Sequence, residues 1–248
     1  MVMIHPKLML CTLVICFLLA SSVSAANKKE QSVDADIVWS ESDGIRKEVF
    51  FTTRLADGWA EPEMITDDYF DNNSPVIEKD KEGDRWIFWS AYHNRTSEIR
   101  YTTRSADQWG EAQKLPSPMQ SNVTPSFVFD GNGAAWVVWS ANNGDLDDIY
   151  YSTNKEGEWS EPIPVHQPNN TVDALPVIDL EESGRLVVTW KRLTDGRYES
   201  VASVWENGRW GAEALVAEQQ TDEQADQIPD LELPSFIADN TNIFLRIY

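Results

Sequence analysis

Cysteine and positive charge are both scarce in this sequence. Of its 248 residues, two are cysteines, and 20 basic residues stand against 41 acidic ones, for a formal charge of −21. That charge argues against a nucleic-acid ligand, because phosphate contacts need a surplus of Lys and Arg. Long runs with the helical spacing of apolar side chains are also missing, which argues against a helical fold.

The N-terminal segment, residues 1–25, has the pattern of a secretory signal peptide. A short start that carries Lys7 is followed by the apolar run Leu8–Ala20 and by small residues that end at Ala25. This pattern predicts a secreted or periplasmic protein, with an N-terminal membrane anchor as the alternative. Both cysteines lie inside the segment, so the processed chain would have neither disulfides nor thiolate chemistry. We predict one domain over residues 26–248, free of the membrane after cleavage.

The rest of the chain repeats with a period of about 50 residues. Two tryptophan series recur in steps of 50, 50 and 51, and a proline series accompanies them. Three series in phase indicate tandem structural units, and this period is typical of propeller blades. The first tryptophan series is Trp39, Trp89, Trp139 and Trp190; the second is Trp59, Trp109, Trp159 and Trp210; the prolines are Pro75, Pro125, Pro176 and Pro234.

Each unit is predicted to form four short strands. In the third unit, the β-branched and aromatic runs 126–129, 135–139 and 149–153 are separated by turns rich in Gly, Asp and Asn. Asp130 and Gly133 lie where a tight hairpin needs residues that tolerate positive φ. Tandem units of this kind predict an all-β fold, a β-propeller of four-stranded blades.

The two ends of the sequence leave the number of blades open. The first unit lacks its inner strand, and Pro234 begins a last segment in which Tyr248 would take the place of Trp39. The C-terminal segment would then complete the first blade and close a ring of four. The alternatives are five sectors with incomplete end blades, or a shortened relative of a six-bladed ring. An open blade edge would allow the chain to form oligomers.

The units resemble the repeats of sialidase-like propellers, known as BNR or Asp-box repeats. The family motif begins with Ser or Thr, continues with Asp, and has an aromatic residue seven positions after its start. In this sequence the Asp position holds another residue in every unit. Four segments keep the seven-residue span: Thr52–Trp59, Thr102–Trp109, Ser152–Trp159 and Ser203–Trp210.

The resemblance implies a secreted sialidase-like propeller and leaves its function open. The repeated motif is a structural device, so the leading hypothesis is a carbohydrate-binding module. Enzymes of the family hydrolyse sialosides with three arginines, a Tyr–Glu nucleophile pair and an aspartate acid. That set cannot be placed on this sequence, so an exo-sialidase with unassigned catalytic residues is the alternative. A scaffold for protein–protein assembly is a second alternative.

The loops that follow the first tryptophan series are predicted to gather on one face and to carry the binding site. Arginine and tyrosine together suit a carboxylated or hydroxylated glycan, since the guanidinium donates and the ring stacks on apolar sugar faces. Solvated loop residues would have the same composition. The tryptophans themselves are predicted to be core residues, with sugar stacking as the alternative. The candidate ligand-binding residues are Tyr92, His93, Arg95, Arg192, Arg197 and Tyr198.

No cofactor is predicted. Asp145, Asp147 and Asp148 place three carboxylates within four residues, and hard oxygen ligands of this kind suit calcium. The segment does not match an EF-hand loop, and acidic turns are expected at this composition. A weak calcium site is therefore the alternative to a solvated turn.

Overall fold

The structure, a computed structural model, describes residues 3–4, 33–216, 233–237 and 243–248. These residues form four antiparallel sheets and one 3-10 turn, Ser235–Ile237. No helix in these ranges is long and apolar enough to cross a membrane. Of the predicted signal peptide, only the two-residue strand β1 (Met3–Ile4) is described, and the rest lies outside the described residues.

Each sheet is one blade of a β-propeller, as the repeat predicts. The first blade contains β2 (Ala35–Ser42), β3 (Lys47–Leu55), β4 (Gly58–Trp59), β5 (Glu63–Met64) and β21 (Ile243–Ile247), and β1 pairs in parallel with β21. The second contains β6 (Asp71–Lys79), β7 (Arg85–His93), β8 (Thr96–Ser105), β9 (Gln108–Trp109) and β10 (Gln113–Lys114). The third contains β11 (Ser121–Phe129), β12 (Ala135–Asn142), β13 (Asp148–Lys155), β14 (Glu158–Trp159) and β15 (Ile163–Pro164). The fourth contains β16 (Val172–Leu180), β17 (Leu186–Thr194), β18 (Arg197–Glu206), β19 (Arg209–Trp210) and β20 (Ala214–Val216).

The C-terminal strand completes the first blade, which confirms the four-blade prediction. Strand β21 pairs antiparallel with β2, so that Phe244 lies opposite Val38. The predicted register was wrong, because Tyr248 follows this strand and does not take the place of Trp39. The reason is that Pro234 begins the 3-10 turn, in which the Ile237 N–H donates to the Pro234 carbonyl, and not an inner strand.

The first tryptophan series forms the core between blades, as predicted. Trp39, Trp89, Trp139 and Trp190 are buried, whereas the second series is half-buried. Three hydrophobic clusters join the first blade to the second, the second to the third and the third to the fourth. The fourth cluster packs the first blade against Ile237 of the 3-10 turn. Within the described ranges, no cluster joins the fourth blade to the first.

A repeated bulge shapes the inner strands of the second, third and fourth blades. Ser74, Thr124 and Leu175, each directly before a proline of the series, have φ of 53°, 54° and 55°, and the strand register shifts at each of them. The N–H groups of two of these bulges donate to serines of the preceding blade, Thr124 to Ser90 (2.9 Å) and Leu175 to Ser140 (3.2 Å). These two hydrogen bonds connect the third blade to the second and the fourth blade to the third.

Candidate functional site

The hairpin between β7 and β8 borders a cavity of about 320 Å³, which is lined mainly by polar residues of the second blade together with Ser121 and Val123 of the third. We refer to it as the cavity of the second blade. Asn94 and Arg95 form the turn with φ of 50° and 66°, the backbone that a two-residue hairpin loop requires. The Thr96 hydroxyl donates to the His93 carbonyl and closes the turn. This geometry places the exposed Arg95 at the rim of the cavity, next to Tyr92, whose side chain is half exposed.

Small polar side chains make up most of the cavity wall. The Ser97 and Ser121 hydroxyls lie 3.3 Å apart, and Ser97 accepts a hydrogen bond from the Asn122 N–H. Asn73 is held from the other side by the Lys47 ammonium at 2.9 Å. The wall is therefore preorganised by bonds to the scaffold, whereas Arg95 has no ion-pair partner in the described part of the chain.

The other predicted binding residues do not converge on this cavity. His93 packs edge-on against Tyr69 and Phe70, with ring centroids 4.7 and 5.7 Å away. Arg197 and Tyr198 are exposed at the start of β18, in the fourth blade, and line neither this cavity nor the central one. The structure thus joins Tyr92 and Arg95 and separates them from the rest of the predicted set.

Arg192 is engaged by carboxylates of the protein itself. Its Nε and Nη2 donate to the two oxygens of the buried Asp173, at 2.7 and 3.1 Å, and Nη1 donates to Glu213. A guanidinium held in this bidentate way fixes β17 against β16. The prediction that it helps to bind a ligand together with Tyr198 is therefore not supported by its position.

The three aspartates of the predicted calcium site do not form one group. Asp145 is exposed, and the Asp147 carboxylate accepts from Asn142. Asp148 instead belongs to a cluster with His166 and Asp173, in which the potential ligand atoms all lie within 4.8 Å of one another. Successive side chains of an extended segment point in opposite directions, which explains why Asp147 and Asp148 separate.

The cluster of Asp148, His166 and Asp173 was missed by the sequence analysis. Its members come from β13, from the loop after β15 and from β16, so no local motif joins them. The repeat does contain one sequence feature that marks this cluster. In the second and third blades, the buried tryptophan donates its Nε1–H to Asn72 and Asn122, whereas Trp190 donates to Asp173, at 2.7 Å. A carboxylate thus replaces an amide at one position of the repeat. We refer to these three residues as the His166 cluster.

The inner strands surround a central cavity of about 280 Å³. Prolines, hydroxyl side chains and Phe244 line most of it, and Lys191 is its charged residue. Neither a carboxylate nor a tyrosine nor an arginine is among the described residues that line this cavity. The pair of acidic groups that most glycoside hydrolases require is therefore not present in its described wall.

No family model and no curated protein matches this sequence. Solved structures do match the fold. A protein of unknown function from Dyadobacter fermentans has a TM-score of 0.59 at 12% identity, over 70% of this chain and 59% of that one. An α-L-arabinofuranosidase of Fusarium graminearum has a TM-score of 0.56 at 11% identity, over 77% of this chain and 68% of the enzyme. An endo-arabinase from Bacteroides thetaiotaomicron has a TM-score of 0.52 at 14% identity, over 75% and 77%.

This chain therefore covers less than two thirds of the first of these proteins. The two named enzymes are propeller glycoside hydrolases, and at these identities the likeness concerns the fold alone. Together with the four antiparallel sheets, it shows that this chain has a β-propeller fold.

Proposed function

We propose that the protein is a secreted carbohydrate-binding propeller that holds a glycan in the polar cavity of the second blade. The observation that carries the proposal is the position of Tyr92 and Arg95 at the rim of this cavity, above a wall of serine and asparagine side chains. An exposed aromatic ring, an exposed guanidinium and fixed hydroxyls are the groups that sugars use for stacking and hydrogen bonding. The propeller glycosidases that share the fold support a sugar as the ligand class.

Binding without hydrolysis is the better match to the composition of the cavity. A sialidase-type reaction needs a Tyr–Glu nucleophile pair, an acid and several arginines around one sugar. The described cavity wall offers one tyrosine and one arginine, and no carboxylate. Such a set can orient a sugar ring, but it cannot protonate a leaving group and also attack the anomeric carbon. Secretion is part of the proposal because of the N-terminal signal pattern.

A glycan array probed with the processed chain tests this proposal. We expect binding to a defined set of glycans, and we expect Tyr92→Ala and Arg95→Ala each to weaken the best hit about tenfold, the effect of removing one contact worth about 1.4 kcal/mol. Tyr198→Ala is the matched control, because Tyr198 is exposed to a similar degree but lies in the fourth blade. It should bind like the unaltered chain.

Three outcomes would contradict the proposal. If no glycan binds, or if Tyr198→Ala weakens binding as much as Tyr92→Ala, the cavity of the second blade is not the site. If fluorogenic sialosides or arabinosides are hydrolysed and Arg95→Ala abolishes turnover, the protein is an enzyme and not only a binding module.

A further inference from the structure

The His166 cluster brings three hydrogen-bond acceptors together in the interior. The His166 side chain is 1% exposed, and its Nδ1 lies 2.9 Å from the Gln167 carbonyl oxygen. A carbonyl oxygen only accepts, so this short contact favours the tautomer with the proton on Nδ1 over the longer contact of 3.5 Å from the Asn169 amide nitrogen. In the neutral ring Nε2 is then an unprotonated acceptor. This Nε2 points between Asp173 Oδ2, at 3.3 Å, and Asp148 Oδ1, at 3.8 Å.

Two atoms of this cluster lack a hydrogen-bond partner among the described residues. They are His166 Nε2 and Asp148 Oδ1, and both are inaccessible to solvent. Buried polar atoms are nearly always bonded, so a converging pair of unbonded acceptors indicates a group that lies between them. Asp148 also has no Lys or Arg within ion-pair distance in the described ranges.

The distances favour a metal ion over a proton between these atoms. A charged N–H···O bond is about 2.7–2.9 Å long, shorter than both separations from Nε2. Two ligand atoms about 2.1 Å from one tetrahedral ion lie roughly 3.4 Å apart. The 3.3 Å separation matches that spacing, the 3.8 Å separation is somewhat longer, and all three ligand atoms lie within 4.8 Å of one another. A nitrogen and carboxylate oxygens are a ligand set that Zn²⁺ accepts.

Neighbouring residues hold the ligands in place as the second shell of a metal site does. The Trp190 ring stacks on His166 with centroids 5.3 Å apart, and the Gln167 carbonyl fixes the imidazole tautomer. Asp173 is anchored by Trp190, Arg192 and Asn169, whose donors occupy both of its oxygens. Asp173 would therefore share Oδ2 with an ion, whereas His166 and Asp148 would supply the stronger bonds.

From this geometry we infer that the His166 cluster binds one divalent transition-metal ion of the Zn²⁺ class between the third and fourth blades. His166 Nε2 and Asp148 Oδ1 are its principal ligands, and Asp173 Oδ2 is the third. The site is separate from the proposed glycan cavity, because none of its three residues lines that cavity.

Imidazole nitrogen NMR of the unaltered chain, titrated with Zn²⁺, tests this inference. The chain has three histidines, and His93 is the natural control outside the predicted signal peptide. We expect one Zn²⁺ to bind per chain, to shift the Nε2 resonance of His166 and to leave His93 unchanged, with reversal by a chelator. Calorimetry should show at least tenfold weaker binding in Asp148→Asn and loss of the site in His166→Gln, whereas His93→Gln should bind like the unaltered chain.

One result would overturn the inference without any variant. If Nε2 of His166 carries a proton at neutral pH and does not respond to Zn²⁺, a proton and not a metal joins His166 to the two carboxylates. Equal Zn²⁺ affinity of the unaltered chain and Asp148→Asn would likewise assign the metal to unrelated surface carboxylates. Because glycan binding is measured separately, either result leaves the proposed function standing.

Discussion

At the residue scale, buried carboxylates connect the blades and make stability depend on pH. Glu48 is 2% exposed, and its Oε2 accepts from the Thr66 hydroxyl at 2.5 Å and from the Asn72 amide at 3.2 Å. Burial raises the pKa of Glu48, and these hydrogen bonds only partly oppose the rise. The folded state therefore releases this proton at a higher pH than the unfolded chain does.

The sign of the effect follows from linkage. Above the ordinary glutamate pKa, the unfolded chain is ionised while the folded state resists ionisation, so Glu48 lowers stability at neutral pH. We predict that Glu48→Gln raises the free energy of unfolding at pH 7, because an amide keeps an acceptor for Thr66 without the charge. The gain should shrink as the pH falls from neutral toward the ordinary glutamate pKa and should be absent below it. Urea unfolding across pH 4–7 measures it.

Glu98→Gln is the control for this prediction. Glu98 holds the equivalent position one repeat later, but it is 21% exposed and pairs with Lys114 at 2.8 Å. Its substitution should not stabilise the chain. A gain from Glu48→Gln that is equal at all pH values would show that charge burial is not its origin.

At the scale of the strand, the bulges before the prolines place ordinary residues in a backbone that favours glycine. Ser74 has φ of 53° and an exposed side chain, and a non-glycine residue there costs roughly 1–2 kcal/mol. We predict that Ser74→Gly stabilises the chain by about 0.5–1 kcal/mol, since glycine adopts this backbone freely but loses more entropy on folding. Thermal unfolding measures the change.

Ser105→Gly provides the matched comparison. Ser105 is also exposed and ends β8 of the same blade, but its φ is not positive. Glycine there should destabilise the chain by up to about 1 kcal/mol, because only the entropic cost remains. If both substitutions destabilise equally, the bulge at Ser74 is not strained.

The strands also show what the sequence could and could not predict. The tryptophan series predicted the period, the core and the four-stranded units, because buried aromatic residues recur wherever blades meet. The bulges were not predicted, since a residue before proline is expected to be extended. Tyr92 and Arg95 were identified because they lie close together in one loop. His166 and Asp173 were not, because only the fold brings them to Asp148.

At the scale of the whole molecule, an ion pair ties the C-terminal strand to the second blade. Arg246 in β21 pairs with Glu78 in β6, and the side chains are each 10% exposed. We predict that Arg246→Ala costs about 3–5 kcal/mol, because Glu78 is left as an uncompensated buried charge. The double variant Arg246→Met with Glu78→Gln should recover most of this loss. Urea unfolding of the three chains gives the comparison.

An exposed pair serves as the reference. Arg185 pairs with Glu181 at 2.7 Å but is 51% exposed, so Arg185→Ala should cost less than about 1 kcal/mol. A small loss in Arg246→Ala, similar to that of Arg185→Ala, would mean that β21 is not held by a buried charge pair.

The position of β21 has a consequence for the order in which the protein acquires its structure during synthesis. The second, third and fourth blades are each built from one continuous stretch, so each can assemble soon after it leaves the ribosome. The first blade cannot, because β2 must wait for Ile243–Ile247. Of the four described blades, the one whose strands begin to be translated first is thus the last to be completed. Until then, β2 is an edge strand whose unpaired backbone N–H and C=O groups can pair with a strand of another chain.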